Sequence, residues 1–370
     1  MAEAGLAVRE NNFDLLRLFG AALVVYGHSY ALAGAVVPGF AATSVSTIGV
    51  KIFFSISGYL ITLSWLRDPN LPRYLTRRIV RIFPALIVVV VLSAFVLGPA
   101  LTRLPLIEYF RHPGTWRYLQ NAGLYINYFL PGVFEANVYP NAVNGSLWSL
   151  PVEFAMYLAT PLLLAIPGAR RPRILAALAI AVIAFVIWRT QLARPSTQLV
   201  IYAIDVWAGV SLTPYFLAGM VLATFGERAL NVYLALIALF ILSVVQTSAP
   251  IKETLLIIIL PYASLAFGVG PSLRVLPRGL DLSYGVFLFG FPVQQIISSA
   301  FGGPIDPWLL FLMAFSVSAA LATLSWRFVE KPCLRLKPTE RERSASPLAS
   351  HLPQQLEATL AESRAAARSL

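Results

Sequence analysis

The stretch FDLLRLFGAALVVYGHSY, from Phe13 to Tyr30, reads as a membrane-spanning helix, yet it carries Asp14, Arg17 and His28. A charge near the centre of a bilayer costs about 2.5–3.5 kcal/mol on insertion scales, so three ionisable groups in one span need a reason. A helix turns about 100° per residue. Arg17 and His28 are therefore within about 20° of three full turns of each other, with Asp14 about 40° off the same line and Ala21 leaving space between them. The rise from Arg17 to His28 is about 16 Å. Taken singly, Arg17 reads as a side chain snorkelling to lipid phosphates and His28 as a hydrogen-bonded packing residue. Their shared face reads instead as a functional stripe.

The rest of the chain supports a membrane setting. Of its 370 residues, 58% are hydrophobic and 12% charged, with a mean hydropathy of +0.73. That composition excludes an ordinary soluble domain. The formal charge of +11 does not imply a nucleic-acid partner, because the basic residues collect in loops expected to face the cytosol. The single cysteine, Cys333, excludes an intramolecular disulfide, and of the three histidines only His28 lies in an apolar run. No metal site is expected. ALAGA, Ala31 to Ala35, resembles a signal-peptide cleavage site, but the mixed charges before it argue against cleavage.

At about 20 apolar residues per span, the sequence predicts an all-α polytopic protein with about ten transmembrane helices. These fall near 13–34, 46–66, 82–102, 146–166, 173–190, 208–226, 229–247, 253–270, 282–301 and 307–328. With both termini cytosolic, 21 of the 28 Lys and Arg residues fall on the inner side, as the positive-inside rule requires. Residues 1–337 form one integral-membrane domain. Residues 338–370, which include TERERSASP, are expected to be a polar, disordered cytosolic tail. The outer segment 103–145 is too long for a turn and is expected to lie over the membrane face as part of a lid or binding surface.

Further polar groups recur inside the spans. GVKIFFSISGYLIT places Lys51, Ser55, Gly58 and Thr62 on one helical face, either as a polar stripe or as small-residue helix packing. RYLTRRIVRIFP supplies an inner loop in which Arg78 and Arg81 can fork onto phosphates; a topogenic basic loop is the plainer reading. NGSLWSLPVEFAMY carries Trp148 and Glu153, with Pro151 expected to kink the turn. Glu153 falls about 10 Å below the outer edge, where it is either a catalytic carboxylate or a partner for Lys51 or an arginine. These groups make an inner layer of Arg17, Arg78 and Arg81 and an outer layer of His28, Lys51 and Glu153. A ligand with phosphates at one end and a reactive group at the other, such as a coenzyme A thioester, suits that spacing.

Arg17-x10-His28, FFSISGYL, RRIVRIFP, NGSLWSLPVEF and SWRFVEKP occur in one order over residues 11–335. Together they resemble the signature blocks of the bacterial integral-membrane acyltransferase family 3. The resemblance implies ten helices in the bacterial inner membrane, a cytosolic acyl-CoA donor (acetyl-CoA above all) and O-acylation of a glycan or glycolipid. It also implies required roles for His28, Arg17, Arg78 and Arg81. Many members have a further histidine in the ninth span, where this chain has Gly290. No fused extracytoplasmic esterase-like domain is evident, so the chain would act alone, as a homo-oligomer, or with a separate acyl-accepting partner.

The resulting expectation is a membrane O-acyltransferase for a cell-envelope or exported polysaccharide, with a macrolide-type acceptor left open. His28 would be general base or covalent acyl carrier, and Glu153 a second catalytic group. Lys51 or Ser55 would be the oxyanion donor, and Trp148 a substrate contact. The competing class is a transporter or flippase for lipid-linked sugars, whose intramembrane charges line a path without acyl chemistry.

Overall fold

Ser44, Asn70, Asp205, Asn231 and Asp306 each precede a long apolar run, and each accepts a hydrogen bond from a backbone N–H in the first turn that follows. Such caps satisfy amides that have no partner within the helix. The computed structural model describes residues 11–165, 171–189, 199–273, 275, 277 and 279–338, and its long elements are helices. In chain order they are α1 (Phe13–Leu32), α2 (Val45–Arg67), α3 (Leu71–Leu101), the short α4 (Leu106–Arg111) and α5 (Pro113–Tyr118), and α6 (Ser149–Leu163). They continue with α7 (Arg171–Ile187), α8 (Val206–Phe225), α9 (Val232–Val244), α10 (Ala249–Val269), α11 (Ser283–Phe301) and α12 (Pro307–Leu334). Two-residue strands make small hairpins before α2, at Gly39–Phe40 and Thr43–Ser44, and before α8, at Val200–Ile201 and Ile204–Asp205.

Each of the ten expected spans falls on a helix. Among the described residues, seven helices are long and apolar enough to cross a membrane: α1, α2, α3, α8, α10, α11 and α12. Helices α6, α7 and α9 have 15, 17 and 13 residues, below the roughly 20 that a span requires. All but the first residue of the expected tail, 338–370, lies outside the described residues.

Two local expectations are corrected. The arginine-rich stretch before residue 82 is not a loop. Asn70 caps it and Pro72 sits in its first turn, so α3 starts at Leu71 and carries Arg77, Arg78 and Arg81 on its opening turns. Pro151 makes no kink in mid-span, because α6 begins at Ser149 after a 3₁₀ turn at Gly145–Trp148. A proline in a first turn removes an amide that has no intrahelical acceptor.

Helix α2 is the central element, flanked by α1 and α8. A Cβ on Gly58 would lie 2.0 Å from the Phe216 carbonyl oxygen, and one on Gly219 would lie 2.3 Å from that of Ser55. Ser55 and Gly58 therefore sit at the contact with α8, and Lys51 reaches the Tyr215 ring of that helix, which is the packing reading of that face. Helix α11 packs on α1 in the same way: a Cβ on Gly290 would come within 2.7 Å of Val25 Cγ2. Gly290, where the resemblance led a histidine to be expected, is thus a point of close approach between the two helices.

The segment between α3 and α6 covers one end of this bundle. Asn137 donates to the Gln295 side chain at 2.8 Å, and Gln295 donates to the carbonyls of Tyr139 and Ala142. Tyr139 lies against Phe291, with ring centroids 6.1 Å apart.

Overpacking a tight helix contact costs typically about 1–3 kcal/mol. Gly58→Ala is expected to lower the melting temperature of the detergent-purified protein, because the added methyl meets backbone. An unchanged melt would mean that α2 and α8 separate at no cost.

Candidate active site

Arginines on α1 and α3 are costly to leave bare in a helix bundle, since an uncompensated buried charge is strongly destabilising. They converge with α2, α6 and the start of α11 on a cavity of about 320 Å³. Arg17 Nη1 lies 3.1 Å from Asp14 and 3.9 Å from Asp281. Arg81 is ion-paired with Asp281 and lies 3.7 Å from Glu330. Arg77 is buried and donates twice to Asp68, at 3.0 and 3.1 Å; Arg73 donates to the same carboxylate. The expected Asp14–Arg17 pair is present, and the arginines expected near one level, Arg17, Arg78 and Arg81, share one cavity.

Arg78 differs from its neighbours. Among the described residues it has no ion pair. Its guanidinium carbon lies 5.7 Å from the Tyr74 ring and 6.0 Å from the Tyr157 ring, and its Nε is buried without a hydrogen-bond partner. Buried polar groups are normally paired; in place of a carboxylate, Arg78 has two aromatic faces beside its guanidinium. Lys337, just beyond α12, also lines the cavity. Partial burial, together with the nearby Arg81, Arg78 and Arg17 guanidiniums, pushes its ammonium down to about 8.

Two carboxylates outside the spans hold the arginines. Burial opposes ionisation of Asp281, but Arg81, Arg17 and hydrogen bonds from Ser283 outweigh it and hold the carboxyl at about 2. Hydrogen bonds from Arg73, and then from Arg77, hold Asp68 at about 2 as well.

Glu153 is displaced from its expected layer. It lines the arginine cavity and accepts hydrogen bonds from Ser57 Oγ at 2.6 Å and Tyr157 Oη at 2.5 Å. The estimate of its depth fails because Asn144 is already inside the protein, fully buried and bonded to the Leu288 carbonyl in mid-α11. Counting from the expected span start at Ser146, itself buried just after Asn144, therefore starts too deep. Glu153 pairs with hydroxyls, not with Lys51 or an arginine.

His28, Lys51, Ser55 and Trp148 do not line this cavity. Phe53 and Phe287 do, with ring centroids 5.9 Å apart. One turn further along α11, Phe291 meets the His28 ring edge to face at 5.2 Å. His28 Nδ1 is buried with no hydrogen-bond partner among the described residues, which is unlike the bonded imidazole of a packing residue. Lys51 is buried, with Nζ 3.3 Å from Thr43 Oγ1 and 4.9 Å from the Tyr215 ring centroid. Ser55 donates its hydroxyl to the Lys51 carbonyl at 2.8 Å, so its proton is committed within α2. Trp148 is half-buried at the end of the 3₁₀ turn and packs on the core.

Several residues that build the site were not singled out from the sequence. Tyr157 has a signal, since it stands four residues after Glu153 on one helical face. Glu330 lies within the SWRFVEKP block. Ser57 lies within the FFSISGYL block; Asp281 and Lys337 had no local signal, and only the packing of distant elements brings them to the cavity.

A family model described as an acyltransferase domain matches residues 10–327. The chain belongs to acyltransferase family 3. It is thus an enzyme that transfers acyl groups other than amino-acyl groups, and the transporter alternative falls. The chain is 29% identical over 330 residues to an O-acetyl transferase of Shigella phage Sf6, covering 87% of this chain and 96% of that protein. Nodulation protein 10 of Rhizobium leguminosarum bv. viciae is 30% identical over 351 residues, covering 88% and 94%. The peptidoglycan O-acetyltransferase OatA of Listeria monocytogenes is 25% identical over 329 residues, covering 77% of this chain and 51% of that protein. No solved structure gives a significant match.

In this family member, the ionised Asp281 stabilises the fold through Arg81 and Arg17. Its folded pKa of about 2 lies below the ordinary value of about 3.9. The stabilisation is therefore complete above about pH 4 and is lost as the pH falls towards 2. Asp281→Asn is expected to lower the melting temperature at pH 7 and to remove part of the acid-dependent loss seen in the parent. Equal melts at pH 7 would mean that Glu330 alone suffices for Arg81.

Proposed function

We propose that this protein transfers an acyl group, acetyl in the first instance, from cytosolic acyl-CoA to a hydroxyl of a cell-envelope or exported polysaccharide. The observation that carries the reading lies on α1: Arg17 lines the cationic cavity, and His28, about 16 Å further along the same helix, holds a buried nitrogen without a partner. Acetyl transfer to glycans is supported by the names of the phage and Listeria relatives.

The unpaired Arg78 and the cavity fit a phosphate-bearing donor. Arg78 holds the phosphates, and Arg17 and Arg81, fixed by Asp14, Asp281 and Glu330, keep the walls cationic. The donor supplies an activated thioester carbonyl. His28 takes the proton from the acceptor hydroxyl as its oxygen bonds to that carbonyl, the carbon–sulfur bond breaks, and the proton passes to the departing coenzyme A thiolate; such general-base help is worth typically 10²–10⁴-fold. Glu153 is a positioning residue on the donor side: it bonds the Tyr157 hydroxyl, whose ring flanks Arg78. Lys51 is the better oxyanion donor of the two considered, since Ser55 is already committed to a carbonyl.

Both termini face the cytosol in this reading, which the distribution of basic residues supports. The arginine cavity then opens inward, and the cover between α3 and α6 faces outward, towards the acceptor.

Purified protein given labelled acetyl-CoA and a polysaccharide acceptor tests the reading. His28→Ala is expected to lose at least 10²-fold in transfer while keeping its melting temperature and donor affinity. Arg78→Ala is expected to weaken donor binding about tenfold or more, the worth of a charge-assisted contact, and Arg78→Lys to restore it in part. Full turnover by the His28 variant would overturn the mechanism.

For orientation, a cysteine placed at the exposed Ala136 is expected to react with an impermeant maleimide in intact cells. Labelling that requires permeabilisation would invert the topology.

A further inference from the structure

Lys337 lies ten residues beyond the end of the family match at residue 327. Successive backbone hydrogen bonds, from Arg335 to Pro332, Leu336 to Cys333 and Lys337 to Leu334, wind the chain on past α12. Leu334 and Lys337 thereby come to line the arginine cavity. Lys337 is exposed to solvent, whereas Arg78 is half-buried, so Lys337 is the nearer of the two to the cavity's opening. Among the described residues, these are the two cations of the cavity lining outside any ion pair; Arg17, Arg77 and Arg81 all have carboxylate partners.

We infer that Lys337 is a specificity residue for the donor, binding the phosphomonoester on its nucleotide, while Arg78 inside takes the pyrophosphate. The inference rests on the acyl-CoA reading above. A donor entering acyl end first leaves its nucleotide at the mouth. There the phosphomonoester carries a charge of about −1.5 to −2 at pH 7, the densest charge on the molecule. The compact ammonium of a lysine suits such a group, and the planar fork of an arginine suits a paired phosphate.

The electrostatics of the mouth agree. Lys337 faces Arg17 of α1, Arg78 and Arg81 of α3, and Asp281 ahead of α11. With the ammonium pushed down to about 8 and Asp281 held at about 2, Lys337 is the member of this group that changes charge near pH 8. Binding of the phosphomonoester favours the protonated form. Its contribution is therefore full below about pH 8 and falls as the pH rises through that value.

The test is calorimetric titration of the full-length, detergent-purified protein with acetyl-CoA and with acetyl-dephospho-CoA, which lacks the phosphomonoester. The parent is expected to prefer acetyl-CoA by about tenfold or more, the worth of a hydrogen bond between charged groups, and to lose that preference between about pH 7 and 9. Lys337→Ala is expected to bind the two donors alike, with its affinity for the dephospho donor unchanged, which also certifies its fold. Lys337→Arg is expected to keep the preference and to carry it to higher pH. If the parent binds neither donor, the acyl-CoA reading fails and this one with it. If it binds both, and Lys337→Ala weakens them equally or not at all, this assignment alone is overturned.

Discussion

Charge compensation at one end of the bundle governs how this protein is built. Arg17, Arg77 and Arg81 sit where an unpaired cation would be costly, and each has drawn a carboxylate from another part of the chain. Asp14 comes from the preceding turn, Asp68 from the α2–α3 connection, Asp281 from the loop before α11 and Glu330 from the end of α12. These pairs join the first helices to the last, so closing the electrostatic circuit also closes the fold. Arg78, half-buried beside two tyrosine rings, is set apart by having none of these partners among the described residues. Among the described residues, the cavity lining keeps two cations without a carboxylate, Arg78 and Lys337, and these are the two that the proposed donor would meet.

The second constraint is separation. A cationic chamber and an imidazole lie on one helix, with the Phe53–Phe287 pair on the chamber wall and Phe291 against His28. Aromatic rings line both places, the arginine cavity and the imidazole, whose Nδ1 has no hydrogen-bond partner among the described residues. Tyr139, from the cover between α3 and α6, rests on Phe291 from the other side. A residue of the cover is thus one ring away from the imidazole. This arrangement suits a reaction whose two substrates approach from opposite faces of the protein.

The helical class, the membrane setting and the residues at the two poles of α1 were legible in the sequence for simple reasons. Hydropathy is a local average, and helical periodicity fixes which residues of one helix share a face. The Asp14–Arg17 pair follows from i, i+3 spacing alone, and the Arg17–His28 alignment from eleven residues at 100°. Depth and partnership were not legible, because they depend on where separate helices meet. Glu153 moved from the histidine layer to the arginine cavity once Asn144 proved to be buried against α11. Lys51 and Ser55 turned towards α8 because Gly58 and Gly219 let those backbones touch. The carboxylates that neutralise Arg77 and Arg81 stand 9 and 200 residues away, and no local pattern announces such a pairing. Sequence spacing settles geometry along a helix axis; the distances between axes, and with them which cations find a carboxylate, are set by packing.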